Sequence, residues 1–286
     1  MLLTMLERVY LEIGNICNLS CSFCTGTNRQ KKQMNTEEFA HICGKIKGKV
    51  KFVYFHVLGE PLLHKNLDEF IKIAGEYGLK VCITTNGTLL KEKGEILLKN
   101  SQFVHKVCIS LHSLEVNENQ SLEDYLNEVV EFSKSSSNKG IYTILRLWNK
   151  DGEYAIGERK NNLKIEEFLH ANFPQNWQVR PKGYRLDKNL FLEYDEAFVW
   201  PTDSKENSSE KGHCYGLKNQ VAILVDGSVS PCCLDANGEI NLGNIFTSSF
   251  EEILSGERAT NIKRGFEKGL LIEDLCKKCT FIKRFH

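Results

Sequence analysis

The sequence predicts an α/β chain in which a partial barrel of six βα units over residues 1–200 is followed by a small α+β domain over 201–286. Three observations carry that expectation. Strand-like and helix-like stretches alternate from the start, which implies βα units with right-handed crossovers and a parallel sheet. A polar, Ser-rich run, "PTDSKENSSEKG" (201–212), then breaks the alternation and reads as a linker. The rest of the chain is shorter and of another kind: a hairpin signal, one or two helices and a closing "CKKC".

Each element has its own signal. "RVYLEIG" (8–14) is β-branched and aromatic and reads as the first strand. "TEEFAHICGKIKG" (36–48) has apolar residues at helical spacing behind a Thr36 cap, and Cys43 falls on its apolar face as a packing residue. Strands come next at 51–57, 79–85, 105–113 and 140–149, with helices at 66–78, 89–99, 121–135 and 159–170 between and after them. "WQVRP" (177–181) supplies a short sixth strand. Five or six units suit an open, TIM-like partial barrel better than a closed eight-stranded one. In "VAILVDGSVSP" (221–231), Asp226-Gly227 marks a hairpin turn.

With equal numbers of basic and acidic residues, the formal net charge is zero. That argues against a nucleic-acid partner, since phosphate neutralisation leaves a basic surplus. The lysines of "KIKGKVK" (45–51) read as a solvated helix end. No apolar run approaches the ~20 residues of a membrane span, and "MLLTMLERVY" turns charged too soon for a secretory signal. Eleven cysteines without secretory context point to reduced thiols in a cytoplasmic protein, and to metal or redox chemistry where they cluster.

"GNICNLSCSFCTG" (14–26) places Cys17, Cys21 and Cys24 with three and then two residues between them, directly after the first strand. Thiolates suit iron–sulfur clusters and zinc, and three leave a fourth metal position open. This spacing, with Phe23 before the last cysteine, resembles the radical S-adenosylmethionine enzymes. Gly59-Glu60-Pro61 after the second strand resembles that family's motif for the methionine amino group, with Leu58 where a second glycine is common. "ITTNGTLL" (83–90) and "ISLHS" (109–113) stand at the next two strand ends. The resemblance implies a 4Fe–4S cluster on Cys17, Cys21 and Cys24. It also implies S-adenosylmethionine contacts from Gly59, Glu60, Pro61, Asn86, Ser110 and Arg146, and a flavodoxin- or ferredoxin-type reductant. In this family the reduced cluster cleaves the cofactor to a 5′-deoxyadenosyl radical, which abstracts a substrate hydrogen.

Cys214, Cys232, Cys276 and Cys279 form a second set, with gaps of 17, 43 and 2 residues. Their spacing resembles the twitch domain, a shortened SPASM domain carrying one auxiliary 4Fe–4S cluster, and is nearest to a member that oxidises a secondary alcohol. A four-cysteine zinc site is the alternative. Cys233 either replaces Cys232 as the ligand or is a free thiol beside it. The leading expectation is two-electron oxidation of a small polar metabolite, with the auxiliary cluster as electron acceptor. Peptide modification is a rival. It is disfavoured because the first strand begins by residue 8, which leaves no room for the leader-binding domain usual in that group. Redox-neutral epimerisation is a second rival, with Cys82, Cys108 or Cys233 as hydrogen donor, and an iron–sulfur or zinc binding module is the non-enzymatic one. If Asn86 and Ser110 face the lumen, strand parity turns Cys82 and Cys108 there too; the alternative for each is a small buried packing residue. Cys108, His56 and Arg146 are the catalytic candidates. Tyr10, Glu12 and Arg180 are further polar strand residues, His64 reads as a loop cap, and Trp200 as packing.

Overall fold

The structure, a computed structural model, describes residues 6–116, 120–150, 160–196, 199–204 and 209–284. Strands β1 (Leu6–Leu11), β2 (Val50–Phe55), β3 (Lys80–Thr85), β4 (Val104–Ser110) and β5 (Tyr142–Lys150) run parallel in sequence order. Helices α1 (Thr36–Ile46), α2 (Leu67–Glu76), α3 (Leu90–Lys99), α4 (Leu122–Asn138) and α5 (Lys160–Asn172) follow them in turn. Alternate strand residues divide the two faces, as a two-residue period requires. Val9, Leu11, Val53, Phe55, Val81, Ile83, Val107 and Ile109 pack outward against Phe39, Ile42, Cys43 and Phe70 of the helices. The opposite parity points into the lumen.

The alternation expected from the sequence is present, with three local differences. The cap of α1 is Asn35 rather than Thr36: Asn35 accepts from the Glu38 N–H while the Glu38 carboxylate accepts from the Asn35 N–H. Asn bonds its own downstream backbone as readily as Thr, so the box moves back one residue. The sixth parallel position belongs to β8 (Leu190–Glu196), not to residues 177–181. β6 (Gln178–Arg180) is exposed throughout and pairs antiparallel with β7 (Gly183–Asp187) at the far edge of the sheet. The physical reason is burial, because β8 brings Leu190 and Leu192, both fully buried, whereas β6 has nothing to bury. Arg180 therefore stands at the sheet edge, over the Phe191 ring, and not among the cavity-lining residues.

The C-terminal segment joins the same sheet. β9 (Gln220–Ile223) pairs parallel with β1, and β10 (Val229–Ser230) pairs antiparallel with β9 across a turn where Gly227 has φ +84°. The full order is β10-β9-β1-β2-β3-β4-β5-β8-β7-β6. Helices α6 (Phe250–Ser255) and α7 (Glu257–Glu267) come next, then the short α8 (Asp274–Lys277), which carries Cys276. Lys45 and Lys49 are not a solvated helix end. The Lys45 ammonium donates to the Ile245 and Ser248 carbonyls at 2.6 and 2.8 Å, and Lys49 pairs with Glu251 at 2.7 Å, so α1 is tied to the start of α6. Among the described residues no helix is long and apolar enough to cross a membrane.

Candidate active site

The loop after β1 forms one wall. Asn15 is buried and ties the loop across its base, its amide donating to the Gln30 carbonyl at 2.9 Å and accepting from the Lys32 N–H at 2.8 Å. Cys17 and Cys24 are exposed and Cys21 partly so. Cys17 Sγ accepts from the Leu19 N–H at 3.4 Å and lies 3.9 Å from the Asn86 amide nitrogen. Burial pushes the Cys17 thiol up, while these donors pull it down. Donors aimed at sulfur favour the thiolate a metal requires.

The Gly59-Glu60-Pro61 segment clasps this loop from below. The Glu60 N–H donates to the Ile16 carbonyl at 2.9 Å. Gly59 has φ +80°, and a Cβ there would collide with the Gly14 carbonyl, so the position admits only glycine. The Glu60 carboxylate turns inward, accepting from the Leu62 and Asn86 N–H groups at 3.0 and 2.8 Å. Burial raises it to about 7 against those donors. Pro61 opens a buried 3-10 turn, and His64 ends it, its ring nitrogens 3.0 Å from the Met34 carbonyl and 3.2 Å from the Asn66 N–H. The Asn86 amide also donates to Asn18 Oδ1 at 2.9 Å, so the ends of β1, β2 and β3 share one network.

Beneath the loop is a cavity of about 550 Å³. Phe23 and Trp200 line it on the loop side, where the Trp200 indole donates to the Phe23 carbonyl at 2.9 Å. Tyr10, Tyr54, His56, Thr84, Ser110 and Arg146 line it from the barrel, and Tyr215, Cys233, Leu234 and Phe281 from the C-terminal segment. Ser110 and Arg146 are register partners. The Arg146 guanidinium lies 4.4 Å from the Trp148 ring centre, and its buried Nε has no partner. Burial, then Arg146, holds His56 down at about 4; burial does the same to His112, so both imidazoles are neutral at pH 7. Cys82 and Cys108 are buried beside Lys106 without lining the cavity, and burial raises Cys82 to about 12. Glu12 is taken up by structure: it pairs with Arg29 at 2.6 Å and accepts from the Val225 N–H.

Cys214, Cys232, Cys276 and Cys279 come within electrostatic reach of one another in the C-terminal segment. The Cys232 thiol is pushed well up by burial and then by its neighbours Cys233, Cys214, Cys276 and Cys279. None of the eleven cysteines forms a disulfide. Among the described residues no three His, Cys, Asp or Glu side chains converge closely enough for a single metal ion. Four thiols within electrostatic reach of one another have the donor chemistry of an iron–sulfur cluster or of a zinc ion. Cys233 turns from this set into the cavity, bonded to the Tyr10 hydroxyl and raised to about 12. Buried Asp235 shapes the turn, accepting from the Ser230 hydroxyl and the Glu239 and Ile240 N–H groups.

The structure thus brings His56, Ser110 and Arg146 to one cavity and the Gly59–Pro61 and Asn86 segments to the cysteine loop. Cys108, on the inward parity between Lys106 and Ser110, is buried and is not among the cavity-lining residues. Arg8, Tyr54 and Lys106 also line the cavity, and sequence reasoning passed over them. Their signal was available, since Arg8 shares strand parity with Tyr10, Tyr54 with His56, and Lys106 with Ser110.

Two family models match the chain: the Radical SAM superfamily over residues 11–149, and an iron–sulfur cluster-binding domain, SPASM, over residues 214–280. A GTP 3′,8-cyclase from Aquifex aeolicus is 25% identical, over 95% of this chain and 89% of its own length. An S-adenosyl-L-methionine-dependent 2-deoxy-scyllo-inosamine dehydrogenase from Niallia circulans is 24% identical, over 96% of this chain and 92% of its own. Among solved structures, BtrN in complex with AdoMet and 2-DOIA superposes with TM-score 0.61 at 18% identity, covering 96% of this chain and 93% of that one. Streptococcus suis SuiB bound to precursor peptide SuiA does so with TM-score 0.61 at 15% identity, covering 96% and 71%.

Proposed function

The chain belongs to the radical S-adenosylmethionine superfamily and carries an iron–sulfur cluster-binding SPASM domain, and from that premise we propose an oxidoreductase acting on a small polar metabolite. The two domains imply a 4Fe–4S cluster, an auxiliary iron–sulfur cluster and S-adenosylmethionine. We assign the first cluster to Cys17, Cys21 and Cys24, and the second to Cys214, Cys232, Cys276 and Cys279. When bound, these groups supply an electron for reductive cleavage of the cofactor to a 5′-deoxyadenosyl radical and an acceptor for the electron the substrate gives up.

The observation that carries the reading is the cavity of about 550 Å³, walled on one side by Phe23 of the first cysteine loop and on another by Cys233 beside the second set. A substrate there stands between the two cysteine sets, as a two-electron oxidation needs. The space is that of a small-molecule pocket. The chain's residues hold and orient: Ser110, Arg146 and Asn86 face the cofactor side, and the aromatic wall of Phe23, Trp148 and Trp200 excludes water. His56 and His112, neutral at pH 7 and made weak bases by burial, can hydrogen-bond a substrate hydroxyl. The expected setting is a cytoplasm with a flavodoxin- or ferredoxin-type reductant.

A second reading has its own observation. Cys233 presents a thiol to the cavity, so a redox-neutral epimerisation with Cys233 as hydrogen donor fits the same space. One experiment separates the two. With a carbon-deuterated substrate, 5′-deoxyadenosine should acquire deuterium; with unlabelled substrate in D2O, oxidation leaves the reacting carbon free of solvent deuterium. Solvent deuterium at that carbon would favour epimerisation. No deuterium in 5′-deoxyadenosine from any small alcohol would overturn the metabolite reading and return attention to peptides.

A further inference from the structure

The deep end of the cavity carries charge that the proposed chemistry does not use. Lys106 lines it from β4, four residues before Ser110, which places it about 13 Å further from the cysteine loop along the strand. Its ammonium lies 3.0 Å from the Tyr54 hydroxyl and, among the described residues, has no carboxylate partner. Arg8 lines the same end from β1 and approaches the same ring, its guanidinium carbon 5.5 Å from the Tyr54 centroid. Glu7 holds one Arg8 Nη at 2.7 Å, while the buried Arg8 Nε has no partner. Glu7 thus offsets the Arg8 charge, whereas among the described residues no carboxylate neutralises Lys106. Cys82 beside Lys106 is a neutral thiol at pH 7, and His56 is neutral too. The carboxylate among the lining residues is Glu196, which is exposed at the rim.

An ammonium kept partly out of water without counter-charge, beside a guanidinium whose buried Nε is unbonded, costs free energy unless an anion completes the site. Three neutral donors or acceptors accompany them: the Tyr10 and Tyr54 hydroxyls and the Gln220 amide, Gln220 being the register partner of Arg8. We propose that Arg8 and Lys106 form an anion subsite for the substrate. The molecule oxidised is then a small polar metabolite whose anionic group, phosphate or carboxylate, anchors at the base while its reacting carbon lies toward Ser110 and Arg146. Charge-assisted bonds from a guanidinium and an ammonium fix such a group in orientation as well as place. Anchoring at one end leaves the other end to face the cofactor, and this is how the fold would choose one hydrogen among several alike.

The proposal rests on the cavity being the substrate site, and its test is independent of turnover. Calorimetric titration of the cluster-loaded, S-adenosylmethionine-bound protein would use inorganic phosphate and, separately, succinate. At least one should bind, and Lys106→Gln and Arg8→Gln should each weaken it about tenfold or more, with Lys106→Arg restoring most of the loss. Phosphate alone binding assigns a phosphoester substrate, and succinate alone a carboxylate. Iron content equal to wild type shows that a variant is folded. Should a variant fail to load iron, wild type supplies the second measurement: the bound anion should slow acylation of Lys106 several-fold and leave exposed Lys91 unaffected. Equal binding in all variants, no binding of either anion, or no protection of Lys106 would overturn the subsite. Absence of 5′-deoxyadenosine with every substrate would instead overturn the enzymatic reading and leave the anion result standing.

Discussion

Gly59 and Glu60 are neighbours that meet opposite demands. Gly59 lets two backbones approach where no side chain fits, whereas Glu60 fills the interior with a carboxylate that two backbone N–H groups address. Because burial holds Glu60 at about 7 against an ordinary 4.5, the folded state keeps a proton between those values that the unfolded chain has released. Its contribution to stability is therefore fully present below pH 4.5 and is lost as pH rises through 7. Urea denaturation of the apoprotein at several pH values should show this decline, and Glu60→Gln should flatten it. The variant should also be about 1–3 kcal/mol less stable, since its amide NH2 must face one of two N–H donors. An unchanged pH slope would mean that Glu60 stays ionised throughout.

Between elements, the decisive contacts join α1 to the start of α6. Lys45 satisfies two carbonyls with one part-buried ammonium, whereas the Lys49–Glu251 pair is substantially exposed. Lys45→Met should cost about 1–3 kcal/mol and Lys49→Met at most about 1 kcal/mol by denaturant titration. Equal costs would show that the exposed pair contributes more than its solvation allows. These contacts also mark where sequence reading stopped. The five leading βα units were legible because each apolar pattern is satisfied within its own unit and by its neighbours. The destinations of Lys45 and Lys49 lie some 200 residues away, so no local pattern could reveal them. β8 was passed over for a related reason. "LFLEYDE" mixes apolar and acidic residues, and only its pairing with β5 makes Leu190 and Leu192 core. The cysteine loop and strand-end motifs were readable because their chemistry is written in spacing. The inward cations Arg8 and Lys106 were legible only through their strand parity with Tyr10 and Ser110, since taken singly a basic residue in a strand looks the same whether it faces water or a lumen.

At the scale of the whole molecule, the metal content of the two cysteine sets can be counted. After anaerobic reconstitution, wild type should hold about eight irons per chain, and a Cys17/Cys21/Cys24→Ala triple variant about four. Four falling to none would leave the second set to zinc, and the acceptor role would go with it. The continuous sheet that encloses the cavity has a consequence for how the chain is made. β1 pairs on one side with β2 and on the other with β9, so Arg8 waits for Gln220. At about 5–20 residues per second, a ribosome takes on the order of 10–40 s to deliver that second neighbour. Through that interval the nascent barrel presents a bare, strand-accepting edge, the kind that recruits foreign strands. The last quarter of the chain thus serves the newborn protein as well as the finished one: its arrival is the moment the first strand stops being sticky.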